Sequence, residues 1–203
     1  LETITPDGIS ALMQVAHCST VATHAILERK GAQTAFINTH DFRDLLFIAR
    51  LHRLELYALH PKLSAPIVPR ELCYEVPERL DYDANVLQEL DTRALERILD
   101  DIAQQNVDAI AVCLLYSFIN PTHEEQIRQR IVERGIVEDW QVALSADVLP
   151  EFREYERAST AVLEAYVRPI MSRYISQLIT ALPDETNLRI MKSDGGVMRV
   201  EHI

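Results

Sequence analysis

Apolar residues recur along the chain in two rhythms, and the two alternate. Some stretches place them every third or fourth position, as one face of a helix requires; others hold them in short unbroken runs, as a covered strand does. Leu95, Ile98, Leu99 and Ile102 form one stripe, so Asp91 to Asn106 is predicted as a helix, with Asp91 as cap and Leu90 and Leu95 at the two staple positions. Ala109 to Leu115 is a continuous apolar run that predicts a strand buried on both faces. Asn120-Pro121 opens a helix reaching Arg134 and closed by Gly135, and Gln141 to Leu144 predicts the next strand. Glu154 to Leu182 carries apolar residues at helical spacing from Tyr155 to Ile179, a long amphipathic helix that Pro169 bends or splits. Leu188 to Met191 is the last predicted strand.

Nearer the start, Thr5-Pro6 opens a short helix, and Thr23 is placed to cap another that runs through Lys30 to a stop at Gly31. Gln33 to Asn38 reads as a strand and Asp41 to Arg50 as a short helix. Residues 51–70 hold three prolines and no clean period, which predicts an irregular segment. Two extended runs follow, Glu71–Val76 and Asn85–Leu90, with a reversal at Asp81 to Asn85 in which Asn85 best tolerates positive φ. The sum is an α/β fold of mixed sheets with crossover helices and one long C-terminal amphipathic helix. The expected division is into lobes 1–50 and 71–203 joined by the irregular 51–70.

Composition narrows the function. The 203 residues are 48% apolar, yet no segment approaches the ~20 uninterrupted apolar residues of a membrane span. A formal charge of −11 argues against nucleic acid as a partner and fits a protein that handles small molecules. Cys18, Cys73 and Cys113 are odd in number and far apart, so a reducing cytoplasm is the expected location. Leu1 in place of an initiator Met reads as a piece of a longer chain.

Three polar clusters carry candidate chemistry, each with a plainer alternative. His17-Cys18-Ser19-Thr20, leading to Thr23, offers hydroxyls and amides ahead of a helix, either an anion site or a strand end with a cap. Lys192-Ser193-Asp194-Gly195-Gly196 follows a strand; Asp194 there either activates water or holds a metal, or the segment is a tight surface turn. Glu151 to Arg157 offers Arg153 and Arg157 as anion clamps, or acidic and basic residues that solvate a helix start. The seven histidines show no zinc spacing, so no metal site is assigned, and no GxGxxG, GxxxxGK or GxSxG motif is present.

Taken in order, these segments resemble one family. His17 to Gly31 is similar to the HGTTVATNALLERKG segment of hydantoinase A/5-oxoprolinase proteins, and Met191 to Gly196 to their MQSDGG stretch. Between them, Asp41–Leu45, Val76–Asp81, Ala111–Ser117 with Asn120-Pro121, Val148–Glu151 and Glu154–Arg157 keep the similarity in order. The resemblance implies part of an actin/hexokinase-like ATPase, and ATP-dependent opening of a cyclic amide such as a hydantoin or 5-oxoproline, through phosphorylation of the amide oxygen. It implies ATP and Mg2+ in the full-length protein, a hydantoinase B-type partner subunit or domain, and leaves homo-oligomerisation open. By motif position, Ser19, Thr20 and Thr23 would line a substrate or phosphate cleft and Asp194 would be catalytic. Gly195 and Gly196 would lie on the facing loop, and Arg153 and Arg157 would serve as anion ligands.

The family's DxGGTFTD and SGPA-type phosphate loops do not occur in this chain, so the chain alone is expected to be inactive. Cys18 stands where the family has Gly, His24 where it has Asn, Lys192 where it has Gln, and Ala84 where a turn Gly is common. Two other readings follow from the same resemblance: the nucleotide-handling subunit of a ketone carboxylase, or a non-catalytic binding or assembly module.

Overall fold

The computed structural model describes residues 14–51, 57, 59, 65–183, 186–192 and 195–200. The helix expected from Thr5-Pro6 lies outside the described residues. In chain order the elements begin with β1 (Gln14–His17), α1 (Val21–Leu27), β2 (Thr34–Thr39) and α2 (Leu45–Ile48). They continue with β3 (Cys73–Val76), β4 (Arg79–Leu80), β5 (Val86–Gln88), α3 (Thr92–Gln104) and β6 (Ala109–Cys113). The last are α4 (Thr122–Glu133), β7 (Val142–Leu144), α5 (Ser145–Val148), α6 (Glu154–Thr180), β8 (Asn187–Met191) and β9 (Val197–Arg199).

The chain forms two compact units, one of residues 31–169 and one of residues 1–30 with 170–203. This differs from the expected lobes. Residues 31–50 fold with 71–169 because β2 lies inside a four-stranded sheet, ordered β3-β2-β6-β7, in which every neighbouring pair is parallel. Strand alternation sends Ala35, Ile37, Ile110, Val112, Val142 and Leu144 to one face, where they pack with Leu95, Leu99, Ile102, Ile127 and Ile131 of α3 and α4. The other face is built from Phe36, Cys73, Ala109, Ala111, Cys113 and Ala143, packed against Ala158, Ala161, Val162 and Ala165 of α6. Small side chains on both sides let the helix lie close to the sheet. Fully burying a side chain such as Leu99 or Ile110 contributes about 1.5–3 kcal/mol. Burial pushes the Cys73 and Cys113 thiols up to about 12, which keeps both protonated and leaves them as packing residues.

Helix α3 forms as its pattern predicts, with the Asp91 carboxylate accepting from the amides of Arg93 and Ala94, both at 3.0 Å. Helix α4 follows Asn120, whose Oδ1 accepts from Thr122 N at 3.1 Å, and the turn after its last residue, Glu133, closes at Gly135 with φ 63°. Helix α6 is not split; Pro169 lies within it, where the two units divide.

Several expectations are corrected. The helix expected from Asp41 to Arg50 is only Leu45–Ile48, because Asp44 pairs with Arg70 (2.6 Å) rather than capping it, and Asp41 and Ala49 adopt positive φ. Helix α1 begins after Thr20, so Thr23 sits in its first turn and is not its cap. It ends on Arg29 at φ 53°, with Lys30 N donating to Ala25 O at 2.9 Å, before Gly31 is reached. Gly31 answers a different need, since a Cβ there would lie 2.0 Å from Cε1 of Tyr166. The reversal at Asp81 joins β4 to β5, while β3 pairs with β2. Its positive φ falls on Ala84 (64°), not Asn85, because Asp81 Oδ1 accepts from Asp83 N (2.9 Å) and Asn85 N (2.8 Å) and fixes the residues between them.

The smaller unit holds a three-stranded sheet, ordered β1-β8-β9, with β1 parallel to β8 and β8 antiparallel to β9. Among the described residues no helix is long and apolar enough to cross a membrane.

Candidate functional site

Strands β1 and β8 run side by side in the same direction, with His17 beside Ile190. The segments that follow them, from Cys18 and from Lys192, therefore leave the same edge of the sheet. Ligands of parallel sheets gather at that carboxyl edge. Here it opens on a cleft of about 470 Å3 whose lining includes Cys18, Ser19, Thr20, His24, Lys30 and Tyr174.

Each of those side chains is placed by local structure. Ser19 Oγ accepts from Val21 N at 3.2 Å, so Ser19 braces the start of α1. Thr20 occupies the cap position without a side-chain capping bond, which leaves its hydroxyl uncommitted to the helix. Lys30 Nζ lies 2.8 Å from Glu28, which also faces His24 at 3.7 Å; both pairs are solvent-exposed and contribute little to stability. Tyr174 reaches from α6 to His17, with Oη and Nε2 2.5 Å apart. Phenol and imidazole are thus within hydrogen-bond reach of each other beside the cleft, the pairing of groups that general acid–base chemistry uses. Cys18 is an exposed free thiol in the same lining.

Ser19 and Thr20 thus line one cleft, while Thr23 is exposed on α1 and does not line it. Gly195 adopts φ 84° in the turn joining β8 to β9, where Lys192 N donates to Gly196 O at 2.7 Å. Ser193 and Asp194 lie outside the described residues. Arg153 belongs to the larger unit; it is exposed, at φ 84°, with its guanidinium over the Phe152 ring at 5.4 Å.

Arg157 requires correction. It is buried, and its guanidinium donates to Leu114 O (3.1 Å), to Ser145 Oγ (2.5 Å) and to Ser117 Oγ. Glu124, also buried, accepts from Leu114 N (2.8 Å), Ser117 Oγ (2.7 Å), Ser145 Oγ (2.6 Å) and Ala146 N (3.0 Å). The two charges stand 3.8 Å apart. Burial pushes the Glu124 carboxyl up, against the pull of those hydrogen bonds. This hub ties the ends of β6 and β7 to α4 and α6, so Arg157 serves the fold and is not a clamp for a solute. A second buried group, Glu78, bonds His123 Nδ1 at 2.9 Å and accepts from Thr39 Oγ1, fastening β4 to α4.

Sequence reasoning overlooked His17 and Tyr174 as a pair. Tyr174 falls on the apolar stripe of α6, and nothing local marks a partner 157 residues away.

Residues 2–135 match the model of the hydantoinase/oxoprolinase N-terminal region, and residues 157–203 match that of hydantoinase/oxoprolinase. The chain belongs to the hydantoinase/oxoprolinase family. Caprolactamase subunit alpha of Pseudomonas jessenii is 31% identical over 88% of this chain. The crystal structure of that ATP-dependent caprolactamase superposes with a TM-score of 0.79. 5-Oxoprolinase 1 of Arabidopsis thaliana is 30% identical over 88% of the chain, and the acetophenone carboxylase gamma subunit of Aromatoleum aromaticum 30% over 79%. The chain spans only 26%, 16% and 24% of those relatives' own lengths. Its α/β fold is consistent with a partial actin-like architecture.

Proposed function

We propose that the full-length protein is an ATP-dependent hydrolase of cyclic amides and that this chain supplies one wall of its substrate cleft. The observation that supports this most is the parallel pairing of β1 with β8, which starts the Ser19-Thr20 segment and the segment after β8 from one edge of the sheet, with Ser19 and Thr20 lining a cleft there. Family membership and the likeness to an ATP-dependent caprolactamase support the reaction class.

In this reading the hydroxyls of Ser19 and Thr20 and the Lys30 ammonium bind the polar edge of the substrate or an anionic group on it. The Tyr174–His17 pair donates or removes a proton at the reacting amide. Asp194 is proposed as the base that activates water, with Gly195 and Gly196 letting the turn approach the substrate closely. Arg153 is proposed as an anion ligand.

The described residues do not by themselves fit a nucleotide with its metal. The cleft offers donors for one anionic group, and no cluster of three metal-ligating side chains exists among the described residues. ATP supplies the driving force for opening an unactivated amide; its phosphates and Mg2+ are proposed to be held by glycine-rich loops of the longer protein. A B-type partner completes the assembly, and a reducing cytoplasm suits the three free cysteines.

A second reading, a ketone carboxylase subunit, draws on the acetophenone carboxylase relative. The test is a coupled ATPase assay on the full-length protein with its partner subunit, offered lactams, hydantoins and 5-oxoproline against ketones with bicarbonate. Stimulation by a cyclic amide, reduced at least tenfold in Thr20→Ala and Tyr174→Phe with unchanged Tm, supports the proposal. Stimulation by ketones alone replaces it with the carboxylase reading, and no loss in either variant removes the cleft from the site. The 203-residue chain alone is expected to show no turnover.

A further inference from the structure

The sheet of the smaller unit carries a charge arrangement that its fold does not require. Arg189 on β8 stands directly opposite Arg199 on the antiparallel β9, so both side chains leave the same face. Like charges in that position repel, and cross-strand pairs are ordinarily of opposite sign. No carboxylate among the described residues pairs with either guanidinium, although the chain has 31 acidic residues to 20 basic ones. Nε of Arg189 is moreover buried without a hydrogen-bond acceptor. An unsatisfied charged donor is among the more costly features a protein surface can keep.

The surroundings suit a ligand. Met191 and Val197 form the next opposed pair on that face and are exposed, giving an apolar shelf beside the two charges. Arg199 also lines a cleft of about 590 Å3 together with Leu182, Thr186 and Asn187. We propose that this face of the sheet binds a small organic oxyanion, its acid group held between Arg189 and Arg199 and its apolar body on Met191 and Val197. A planar fork from each arginine matches the oxygens of a phosphate or carboxylate, and the bound charge cancels the repulsion between them. This inference does not depend on the cyclic amide reading.

The test is calorimetric titration of the chain with inorganic phosphate, phenyl phosphate and benzoate at low and high salt. Saturable binding of phenyl phosphate or benzoate, weakened by salt, is expected; inorganic phosphate, which has no body for the shelf, should bind more weakly. The preferred acid group separates a phosphate ligand from a carboxylate one. Arg199→Glu is the decisive variant, because it converts the repelling pair into a cross-strand ion pair and so keeps the sheet folded while removing the site. At least tenfold weaker binding in Arg199→Glu and in Arg189→Gln, with Tm equal to or above that of the parent, supports the proposal. Absence of saturable binding for all three probes, or affinity retained in Arg199→Glu, overturns it.

Discussion

The buried Glu124–Arg157 hub gives a quantitative expectation. Replacing Arg157 by Met removes the only guanidinium facing Glu124 among the described residues and strips Ser117 and Ser145 of a charged donor. It leaves a buried carboxylate with hydrogen bonds but no counter-charge. Breaking such a pair from one side costs about 3–5 kcal/mol. Against a total stability of about 5–15 kcal/mol for an ordinary domain, that is a large fraction. With a urea slope of about 2 kcal/mol per molar, the midpoint should fall by roughly 1.5–2.5 M. Glu124→Leu should cost a similar amount, because Arg157 is then buried unpaired and the Leu114 and Ala146 amides lose their acceptor. The double variant Glu124→Leu/Arg157→Met removes both charges, and should recover at least about 2 kcal/mol relative to the sum of the singles. Urea unfolding followed by circular dichroism reads all four proteins. Single variants within about 1 kcal/mol of the parent, or a double variant that only adds the two losses, would refute the assignment of Arg157 to the fold.

Other positions give shorter expectations. Gly31→Ala places a methyl 2.0 Å from the buried Tyr166 ring and should cost about 1–3 kcal/mol, with Tyr166→Ala in the same chain relieving the clash; thermal melts of the cycle check this. Ala84→Gly relaxes a residue held at φ 64° and should raise stability by about 1 kcal/mol, measured by the urea midpoint. The Asp81 carboxyl is held below its ordinary 3.8, chiefly by the Asn85 side chain and then by the Asn85 and Asp83 amides. Its contribution to the turn is therefore present above that pH and lost as pH falls through the lower folded value. Amide exchange at Asp83 and Asn85 should accelerate on acidification, and Asp81→Asn should abolish that pH dependence.

What the sequence revealed depended on range. The cap at Asp91, the Asn120 turn ahead of α4, the stripe of α3 and the covered run of β6 are set by neighbours within a few residues, and those elements formed where the pattern placed them. Helix α2 is short because Asp44 is drawn to Arg70, 26 residues away, which no local period reports. The division into units was hidden for the same reason: β1 is completed by β8 from the far end of the chain. At the cleft, Ser19 and Thr20 were legible as hydroxyls ahead of a helix, whereas Tyr174 was disguised by its place on an apolar stripe. Arg157 was misread because a charged residue at a helix start usually faces water, and only packing shows it enclosed by Leu114, Ser117, Ser145 and Glu124.

The most direct measurement is product stoichiometry in the full-length protein with its partner subunit, using a lactam and a hydantoin as separate substrates. The account predicts one ring-opened amino acid or carbamoyl amino acid formed for each ADP released, with no requirement for bicarbonate. Nucleotide consumed only with a ketone and bicarbonate, yielding a carboxylated product and leaving both rings intact, would contradict it.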